Sequence, residues 1–363
     1  MSVTPGGASG AATEPGTAAR ARPAAGALAP LAGALALALA VGAILLALGG
    51  TDPVAGYDAL LNGALGSRYD VGETVVRALP IAIVALGVAP ALRAGVFTVG
   101  AEGQIALGAL LAATVVLAIP DAPAPLLLLA GAGAGALAGA VWALLPALLR
   151  ARWDVNEILS TLLLNYVAAA LLAWSLRTWL KTSERVPSPR SDALPAGGML
   201  PTWLDGTRLH WGALLVPAAA VALAWWLRTP RALANDVLET RPQLARRIGV
   251  SPARAIVTTM VVGGAAAGLA GWLKLAGIDG SLYASVAGGI GFTGVLVALL
   301  GGLRPVGIVV AAVFFGALGA GADGLQIDTG APASLATVMQ GVLLVAAALA
   351  FEARRRRVAA RVA

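Results

Sequence analysis

Long stretches with almost no charged residues recur along this chain, and they constrain its fold more than any other feature. Leu28–Gly49, Pro125–Leu149, Ile256–Ala276 and Pro332–Phe351 each carry at most one charged residue. An α-helix rises about 1.5 Å per residue and needs roughly 20 apolar residues to cross the hydrocarbon core of a bilayer. The composition agrees, with 59% apolar and only 12% charged residues. The pattern predicts an all-α, polytopic transmembrane helical bundle rather than a soluble domain.

About ten spans are predicted from the apolar stretches and the short charged loops between them. The first is interpreted as a retained helix, because its apolar run is too long for a signal peptide. The chain then divides into a disordered N-terminal tail (1–24), a transmembrane domain (25–352) and a basic C-terminal tail (353–363). The predicted spans lie near residues 26–49, 73–92, 95–118, 125–149, 157–176, 211–227, 256–277, 286–303, 305–322 and 332–351.

The basic residues are distributed unevenly between the two sides of the predicted bundle. With the N-terminus inside, 17 of the 25 Lys and Arg residues fall on cytoplasmic segments, six fall outside and two lie within spans. This asymmetry is the positive-inside pattern of a multi-pass cell-membrane protein with both termini in the cytoplasm. Membrane topology therefore accounts for the net charge of +7, and no nucleic-acid partner is predicted.

Several kinds of chemistry find no support in the sequence. The chain has no cysteine, and its single histidine, His210, is expected to be an ordinary residue at the membrane interface. Neither lysine follows a glycine, so the phosphate-binding motif G-x-x-x-x-G-K-[ST] is absent. The acidic residues lie mostly in loops and form no recognisable acid–base pair. We therefore predict a transport subunit without its own ATPase site, with no catalytic residue, metal site or bound cofactor.

The cytoplasmic loop 228–254 carries helix signals. Thr240 and Gln243 have the spacing of a capping box, with a proline in the first turn, and Gly249 suits a helix end. The sequence thus predicts a short helix that also includes Arg246 and Arg247. Two interpretations stay open from these residues alone. The helix either transmits the motion of a separate ATPase into the membrane, or lies on anionic lipid as an amphipathic surface helix.

An acidic residue interrupts the predicted third span. Glu102 and Gln104 lie in the segment Val99–Gln104, where Gly100 and Gly103 weaken the helix. A charged residue within a span normally faces the bundle interior or a water-filled cavity. Glu102 is expected either to line the path of the solute or to cap a broken helix by accepting backbone N–H bonds.

A second polar group opens the predicted fifth span. Asn156 is a suitable N-cap, and positions 157, 161 and 165 share one helical face, which places Thr161 and Asn165 on a polar stripe next to Tyr166. In lipid such a stripe must face protein or water. We predict Thr161, Asn165 and Tyr166 as a second candidate segment of the solute path.

Small residues and two isolated cations complete the membrane pattern. Glycines recur at four-residue spacing at positions 131, 135 and 139 and again at 264 and 268. Such spacing predicts close helix packing, because the hydrophobic effect does not drive helices together in lipid. Arg77 and Lys274 are expected to extend their long side chains to the outer interface.

Several segments together resemble a known family of permeases. Phe97–Gln104 resembles the F-N-I-G-x-E-G-Q segment of bacterial permeases for simple sugars and nucleosides, which belong to the superfamily of branched-chain amino acid permeases. Asn156–Tyr166 resembles N-E-x-I-x-T-x-M-L-N-Y in the same proteins. Ala245–Val250 resembles A-x-x-x-G-I, and Gly291–Gly307 resembles G-F-D-x-I-A-V-A-L-L-G followed by P-x-G. Thr98 and Thr293 depart from the usual Asn and Asp.

The resemblance implies the membrane subunit of an ATP-binding cassette (ABC) importer that forms the translocation path for a nucleoside or simple sugar. It also implies an ABC ATPase subunit that uses the ATP, a second permease subunit in a heterodimer or homodimer, and an extracytoplasmic solute-binding lipoprotein. The alternatives are a branched-chain amino acid permease and an ion-coupled secondary transporter, for which Glu102 is the only reasonable coupling carboxylate.

Overall fold

The computed structural model describes residues 28–182, 188–240, 242–247 and 249–332, with four residue pairs between positions 334 and 346. The predicted N-terminal and C-terminal tails lie outside the described residues, and so does most of the predicted last span.

Helices provide the regular structure of the described residues, and no β-strand forms within these ranges. This confirms the all-α prediction. Side-chain oxygens of Ser67, Asn156 and Ser251 accept backbone N–H bonds at three helix starts, which stabilises donors that have no partner within the helix. In chain order the α-helices are α1 (Leu28–Leu48), α2 (Pro53–Leu65), α3 (Arg68–Arg93), α4 (Ala101–Ala118), α5 (Ala124–Trp153), α6 (Glu157–Ser175), α7 (Leu215–Trp226), α8 (Pro230–Thr240), α9 (Pro242–Arg247), α10 (Pro252–Lys274), α11 (Ile290–Leu300) and α12 (Pro305–Thr329).

Six of the described helices are long and apolar enough to cross a membrane, namely α3, α4, α5, α6, α10 with the π-helical turn Leu275–Asp279 that continues it, and α12. The number rises to eight if each of two bent helix pairs forms one span. These six helices coincide with six of the predicted spans. The predicted total of ten is not confirmed.

Two of the remaining predicted spans are followed by a helix at a steep angle, and a third is short. The chain bends by 115° between α1, which covers the first predicted span, and α2, and by 74° between the helix that ends at Trp226 and α8. The predicted span 286–303 contains only α11, whose 11 residues extend about 16 Å. Gly288 and Gly289 adopt left-handed conformations immediately before it, so the helix cannot begin earlier. The α11 helix is therefore too short to cross the bilayer alone.

The central helix of the bundle is α3, which is buried along almost its whole length. It packs against α10, α11 and α12, with smaller contacts to α2, α7 and α8. Its side chains between Val76 and Leu92 are almost all apolar and buried. This helix therefore links the α11–α12 side of the bundle to the α10 side.

Glycines let α4, α5 and α10 approach backbone to backbone. A Cβ atom added at Gly139 of α5 would lie 2.8 Å from the backbone nitrogen of Gly268 on α10 and would clash with the Gly264 carbonyl. Gly108 of α4 meets Gly268 in the same way. The predicted packing role of Gly135, Gly139, Gly264 and Gly268 is confirmed.

The described part of the loop between α6 and α7 is ordered. It packs against the segment that connects α10 to α11. Ser191 N donates to the Leu282 carbonyl (3.0 Å), Leu282 N donates to Ser191 Oγ (2.9 Å), and Leu194 N donates to the Gly280 carbonyl (2.8 Å). Leu200 N donates to the Ala276 carbonyl (2.9 Å). The loop therefore forms a cover over the end of α10.

His210, at the end of this loop, is almost fully buried, with 1% of its surface exposed. The prediction of an ordinary interfacial residue is wrong. The imidazole packs so closely on the π-helical turn that a Cβ at Gly277 would lie 2.6 Å from its Cε1 atom. Neither ring nitrogen has a hydrogen-bond partner among the residues that the structure describes. Burial lowers the pKa of the His210 imidazole to about 4, because a charged ring would lose its hydration.

The two cations predicted to reach the outer interface, Arg77 and Lys274, both form ion pairs, and their position at the interface stays a prediction. Lys274 Nζ lies 2.9 and 2.7 Å from the carboxylate oxygens of Asp279. Arg77 of α3 pairs with Asp323 of α12 and donates to the Gly319 carbonyl at 3.1 Å. Acidic partners nearby in the fold stabilise these charges where they lie, because a desolvated charge is costly without a partner.

Candidate functional site

The chain between α3 and α4 breaks the helical bundle near Glu102. The α3 helix ends at Arg93, and α4 does not begin until Ala101. The predicted span 95–118 therefore starts six residues late, and Glu102 lies in the first turn of α4 rather than in mid-helix. Gly95, with a φ of +74°, turns the chain out of the helical path. We call the segment Ala94–Gly100 the helix break.

The Glu102 carboxylate joins two helix N-termini. Its Oε1 atom accepts from Gly289 N at 2.7 Å, and its Oε2 atom accepts from Gly291 N at 2.9 Å. Both donors belong to the start of α11, where backbone N–H groups lack intrahelical partners. Gly291 permits the approach, since a Cβ there would lie 2.6 Å from the Glu102 Cα atom. The carboxylate thus lies where two positive helix ends meet.

Asn165 of α6 holds the opposite side of the break. Its Oδ1 atom accepts from Gly103 N at 2.9 Å, and its Nδ2 atom donates to the Val99 carbonyl at 2.9 Å. Thr161, one turn earlier, accepts from Val99 N at 3.4 Å and donates to the Glu157 carbonyl at 2.6 Å. The polar stripe of α6 therefore faces protein, and its polar atoms meet the backbone of the break.

The other two predicted path residues have different environments. Gln104 is buried, and its Nε2 atom lies close to Gly100 of the break. Tyr166 is 69% exposed on the outside of α6, so the structure does not bring it to the same place. A direct role of Glu102, Gln104, Thr161, Asn165 or Tyr166 in contacting solute stays a prediction.

The predicted short helix of loop 228–254 is present as α9. It runs from Pro242 to Arg247, and Gly249 follows with a φ of +82°, as a helix-ending glycine requires. Gln243 and Arg247 are exposed, whereas Ala245 is fully buried. The side chain of Arg246 lies outside the described part of the chain. Contact of this helix with an ATPase stays a prediction.

Thr240 does not show the expected capping contact. It is the last residue of α8, and its hydroxyl donates to the Asp236 carbonyl one turn back at 2.8 Å. Sequence reasoning treated residues 228–240 as loop and missed α8. The available signal was Pro230, which stands at the first helical position, where proline is favoured.

The α8 helix is attached to the end of α3 next to the break. Arg93 Nε donates to Asp236 Oδ1 at 2.9 Å, and a second Arg93 nitrogen pairs with Asp236 Oδ2. Glu239 of the same helix packs on Gly95, with its Cγ atom 3.3 Å from the position of a Cβ there. This two-point contact links α8, and α9 beyond it, to the helix break.

A cavity of about 840 Å³ lies between α3, α7, α8 and α10. Ile83, Ala219 and Val262 line its deeper part, and Arg231, Asn235 and Arg254 line the part near the α8–α10 turn. No group of three or more potential metal ligands occurs among the described residues.

The described architecture defines a helical, multi-pass membrane protein with a buried helix break held by polar side chains. Comparison with known proteins places it more narrowly. Residues 71–348 match the family described as branched-chain amino acid transport system / permease component, and the chain belongs to that family. It is a membrane permease subunit.

Three curated relatives align over most of their own length. A glucose ABC transporter permease, TsgB13 of Haloferax volcanii, is 36% identical over 81% of this chain and 80% of its own. A guanosine ABC transporter permease, NupP of Bacillus subtilis, is 33% identical over 84% and 88%. A nucleoside ABC transporter permease, NupB of Lactococcus lactis, is 29% identical over 83% and 85%. No solved structure matches the chain significantly.

Proposed function

We propose that this permease subunit forms the translocation path of an ABC importer for a nucleoside or a simple sugar. The observation that carries the proposal is the linkage from α9 through α8 to the helix break. The exposed α9 helix adjoins α8, the Arg93–Asp236 pair fixes α8 to α3, and the break is held by Glu102 and Asn165. A displacement of α9 by the ATPase would therefore be transmitted through α8 to the helix break.

The substrate class follows from the relatives. Their names specify glucose, guanosine and nucleosides, which are small polar solutes with several hydroxyl groups. The family description names branched-chain amino acids, so a leucine-type solute is the second candidate. An uptake panel of guanosine, glucose and leucine separates the two.

The energy source in this proposal is a separate ABC ATPase subunit. The chain has no phosphate-binding loop motif, and we propose that it hydrolyses no ATP and binds no cofactor itself. A second permease subunit, identical or related, completes the path, and an extracytoplasmic lipoprotein delivers the solute. Thr240, Gln243, Arg246, Arg247 and Gly249 form or flank the helix that would contact the ATPase.

The proposed topology has ten spans with both termini in the cytoplasm. It rests on the excess of Lys and Arg in the loops assigned to that side. The chain contains no cysteine, so a cysteine introduced at either end is the only thiol that a maleimide can label. An impermeant maleimide added to intact cells reaches that thiol only if it lies outside. Labelling of either terminus in intact cells by an impermeant maleimide would contradict this topology.

A secondary transporter is disfavoured by the position of Glu102. Such a transporter needs a carboxylate available to bind the coupling ion near the middle of the membrane. Both carboxylate oxygens of Glu102 already accept backbone N–H bonds from α11. Uptake that collapses with an ionophore while cellular ATP stays high would nevertheless favour that class.

Co-purification tests the proposed assembly. The tagged protein is extracted in a mild detergent from its native host, and the proteins that elute with it are identified by mass spectrometry. We expect a P-loop ATPase and a permease in comparable amounts. An unrelated membrane protein with the same tag, purified in parallel, gives the background. A clean homo-oligomer without any ATPase would contradict the proposal.

A further inference from the structure

The cavity between α3, α7, α8 and α10 has one polar end and one apolar end. All six of its polar lining residues, including Arg231, Asn235 and Arg254, lie between positions 231 and 259, next to the α8–α10 turn. The lining from α3 and from the deeper part of α10 is apolar. A cavity with this gradient suits an amphiphile better than a solute that is polar on all sides.

The cavity has the length of one membrane leaflet. Along α10 its lining runs from Arg254 to Ala266, which corresponds to about 18 Å of helix. Half of a hydrocarbon core of about 30 Å is about 15 Å. A ligand whose polar part lies at Arg254 would therefore reach the middle of the bilayer with its apolar part.

The polar end presents unused hydrogen-bonding and charged groups. Arg231 and Arg254 are exposed, and neither guanidinium group makes an ion pair or hydrogen bond within the described part of the chain. Asn235 is 5% exposed, yet its side-chain amide also lacks a hydrogen-bond partner among the described residues. Asn235 lines the cavity, and its amide atoms are not among the fully buried polar atoms without a partner, so a ligand in the cavity can reach the amide. Two free guanidinium groups beside it fit a ligand with a phosphate and with ester carbonyl oxygens.

We propose that this cavity is a binding site for an anionic phospholipid of the cytoplasmic leaflet, with its phosphate at Arg231 and Arg254 and one acyl chain in the apolar part. Basic pockets between transmembrane helices on this side recognise anionic lipid headgroups. Asn235 donates to a lipid oxygen below the phosphate. The site rests on the proposed orientation of the bundle, but not on the identity of the solute.

Tryptophan fluorescence can report the bound lipid directly, because Trp225 and Trp226 line the cavity. The intact complex is reconstituted in phosphatidylcholine vesicles that contain a small fraction of brominated phosphatidylglycerol or, in parallel, brominated phosphatidylcholine. Bromine quenches nearby indoles. The double variant Trp225→Phe and Trp226→Phe identifies the part of the signal that comes from the cavity.

We expect brominated phosphatidylglycerol to quench this part at a lower membrane fraction than brominated phosphatidylcholine, by about fivefold for each arginine. Arg231→Gln with Arg254→Gln should abolish that preference. Arg228→Gln, which removes one positive charge from an exposed residue outside the cavity lining, should reduce it much less than either single variant, Arg231→Gln or Arg254→Gln.

Equal quenching by the two lipids in the unmodified protein would overturn the site. So would an unchanged preference in the variant without Arg231 and Arg254, or relief of quenching by guanosine or glucose, which would assign the cavity to the solute. The assay needs neither ATP nor transport, so failure of the lipid site leaves the importer proposal standing.

Discussion

Two polar residues of this bundle, Glu102 and Asn165, bond to backbone groups at the start of α11 and around the helix break. Glu102 satisfies N–H groups at the start of α11, and Asn165 satisfies both a donor and an acceptor around the break. An unmet hydrogen-bonding group buried in a bundle costs about 1–3 kcal/mol. The residue types that look like solute ligands in the sequence therefore also hold the irregular backbone in place.

Removing the Glu102 side chain should destabilise the junction of α4 and α11. Glu102→Ala leaves two N–H groups unbonded, at about 1–3 kcal/mol each, and Glu102→Gln retains one acceptor and should cost less. We expect a lower yield of monodisperse protein in the order wild type, Gln, Ala, measured by fluorescence size-exclusion chromatography. Asp121→Ala, at an exposed loop acid, is the matched control. Normal yield and full uptake in the Ala variant would mean that Glu102 has neither a structural nor a transport role.

His210 should make the order of the α6–α7 loop sensitive to acid. The folded pKa of about 4 lies below the ordinary value of 6.5, so a released imidazole binds a proton more readily than a buried one. The contribution of His210 to loop stability is therefore fully present above pH 6.5 and is lost progressively as the pH falls towards 4. The charged residues near this end of the bundle form two ion pairs, Lys274 with Asp279 and Arg208 with Glu73.

Cysteine labelling can detect this opening, because the chain has no other cysteine. Leu194→Cys places a thiol at a buried position of the loop, and Asp205→Cys provides an exposed reference in the same loop. We expect the labelling rate of the buried cysteine, divided by that of the exposed one, to rise as the pH is lowered from 6.5 to 4 in the protein with His210. The rise should be smaller in a His210→Gln background. Equal rises in both backgrounds would assign the effect to other groups.

At the scale of the helices, the sequence predicted length and apolarity well and irregular backbone poorly. Local signals predicted several elements correctly. Apolar length predicted the spans 73–92 and 305–322, and the helix-ending Gly249 predicted α9. The contacts of the break do not follow from local signals, because they join residues 62 to 189 positions apart. The α8 helix was missed because its 11-residue mixed sequence carries only the local signal of Pro230, and its ion pair with Arg93 joins residues far apart in the sequence.

Close glycine contacts between α5 and α10 give a second element-scale prediction. Gly139→Ala places a methyl group against the Gly264 carbonyl and the Gly268 nitrogen, and overpacking of this kind costs typically about 1–3 kcal/mol. Gly133→Ala, on the same helix with nothing within 4 Å of the added methyl, should be neutral or slightly stabilising. Thermal unfolding of the two purified variants checks the pair. Similar melting temperatures would contradict the packing described here.

At the scale of the whole molecule, α8 connects the short helix α9 to the helix break between α3 and α4. In the proposed importer this connection is the route by which a separate ATPase would move the bundle. The composition of the chain and its resemblance to sugar and nucleoside permeases indicated this class in advance. The contact of Arg93 with Asp236, which joins residues far apart in the sequence, became visible only in the fold.

Reversing charge on α9 should separate ATP hydrolysis from transport. In the assembled complex, Arg246→Glu with Arg247→Glu should lower uptake by about tenfold, within the usual range of coupling between sites, and leave the amount of protein in the membrane unchanged. ATP hydrolysis by the partner should continue. Arg152→Glu, at an exposed residue at the end of α5, tests whether any cytoplasmic charge has the same effect. Unchanged uptake in the double variant would make α9 a surface helix with no coupling role.

Uptake by proteoliposomes that contain the purified complex tests the central claim most directly. Radiolabelled guanosine and glucose are offered outside with the binding lipoprotein, and ATP or a non-hydrolysable analogue is enclosed on the ATPase side without any ion gradient. The account predicts accumulation of one of these solutes with ATP and none with the analogue. Accumulation that ignores ATP and follows an imposed proton or sodium gradient would contradict it.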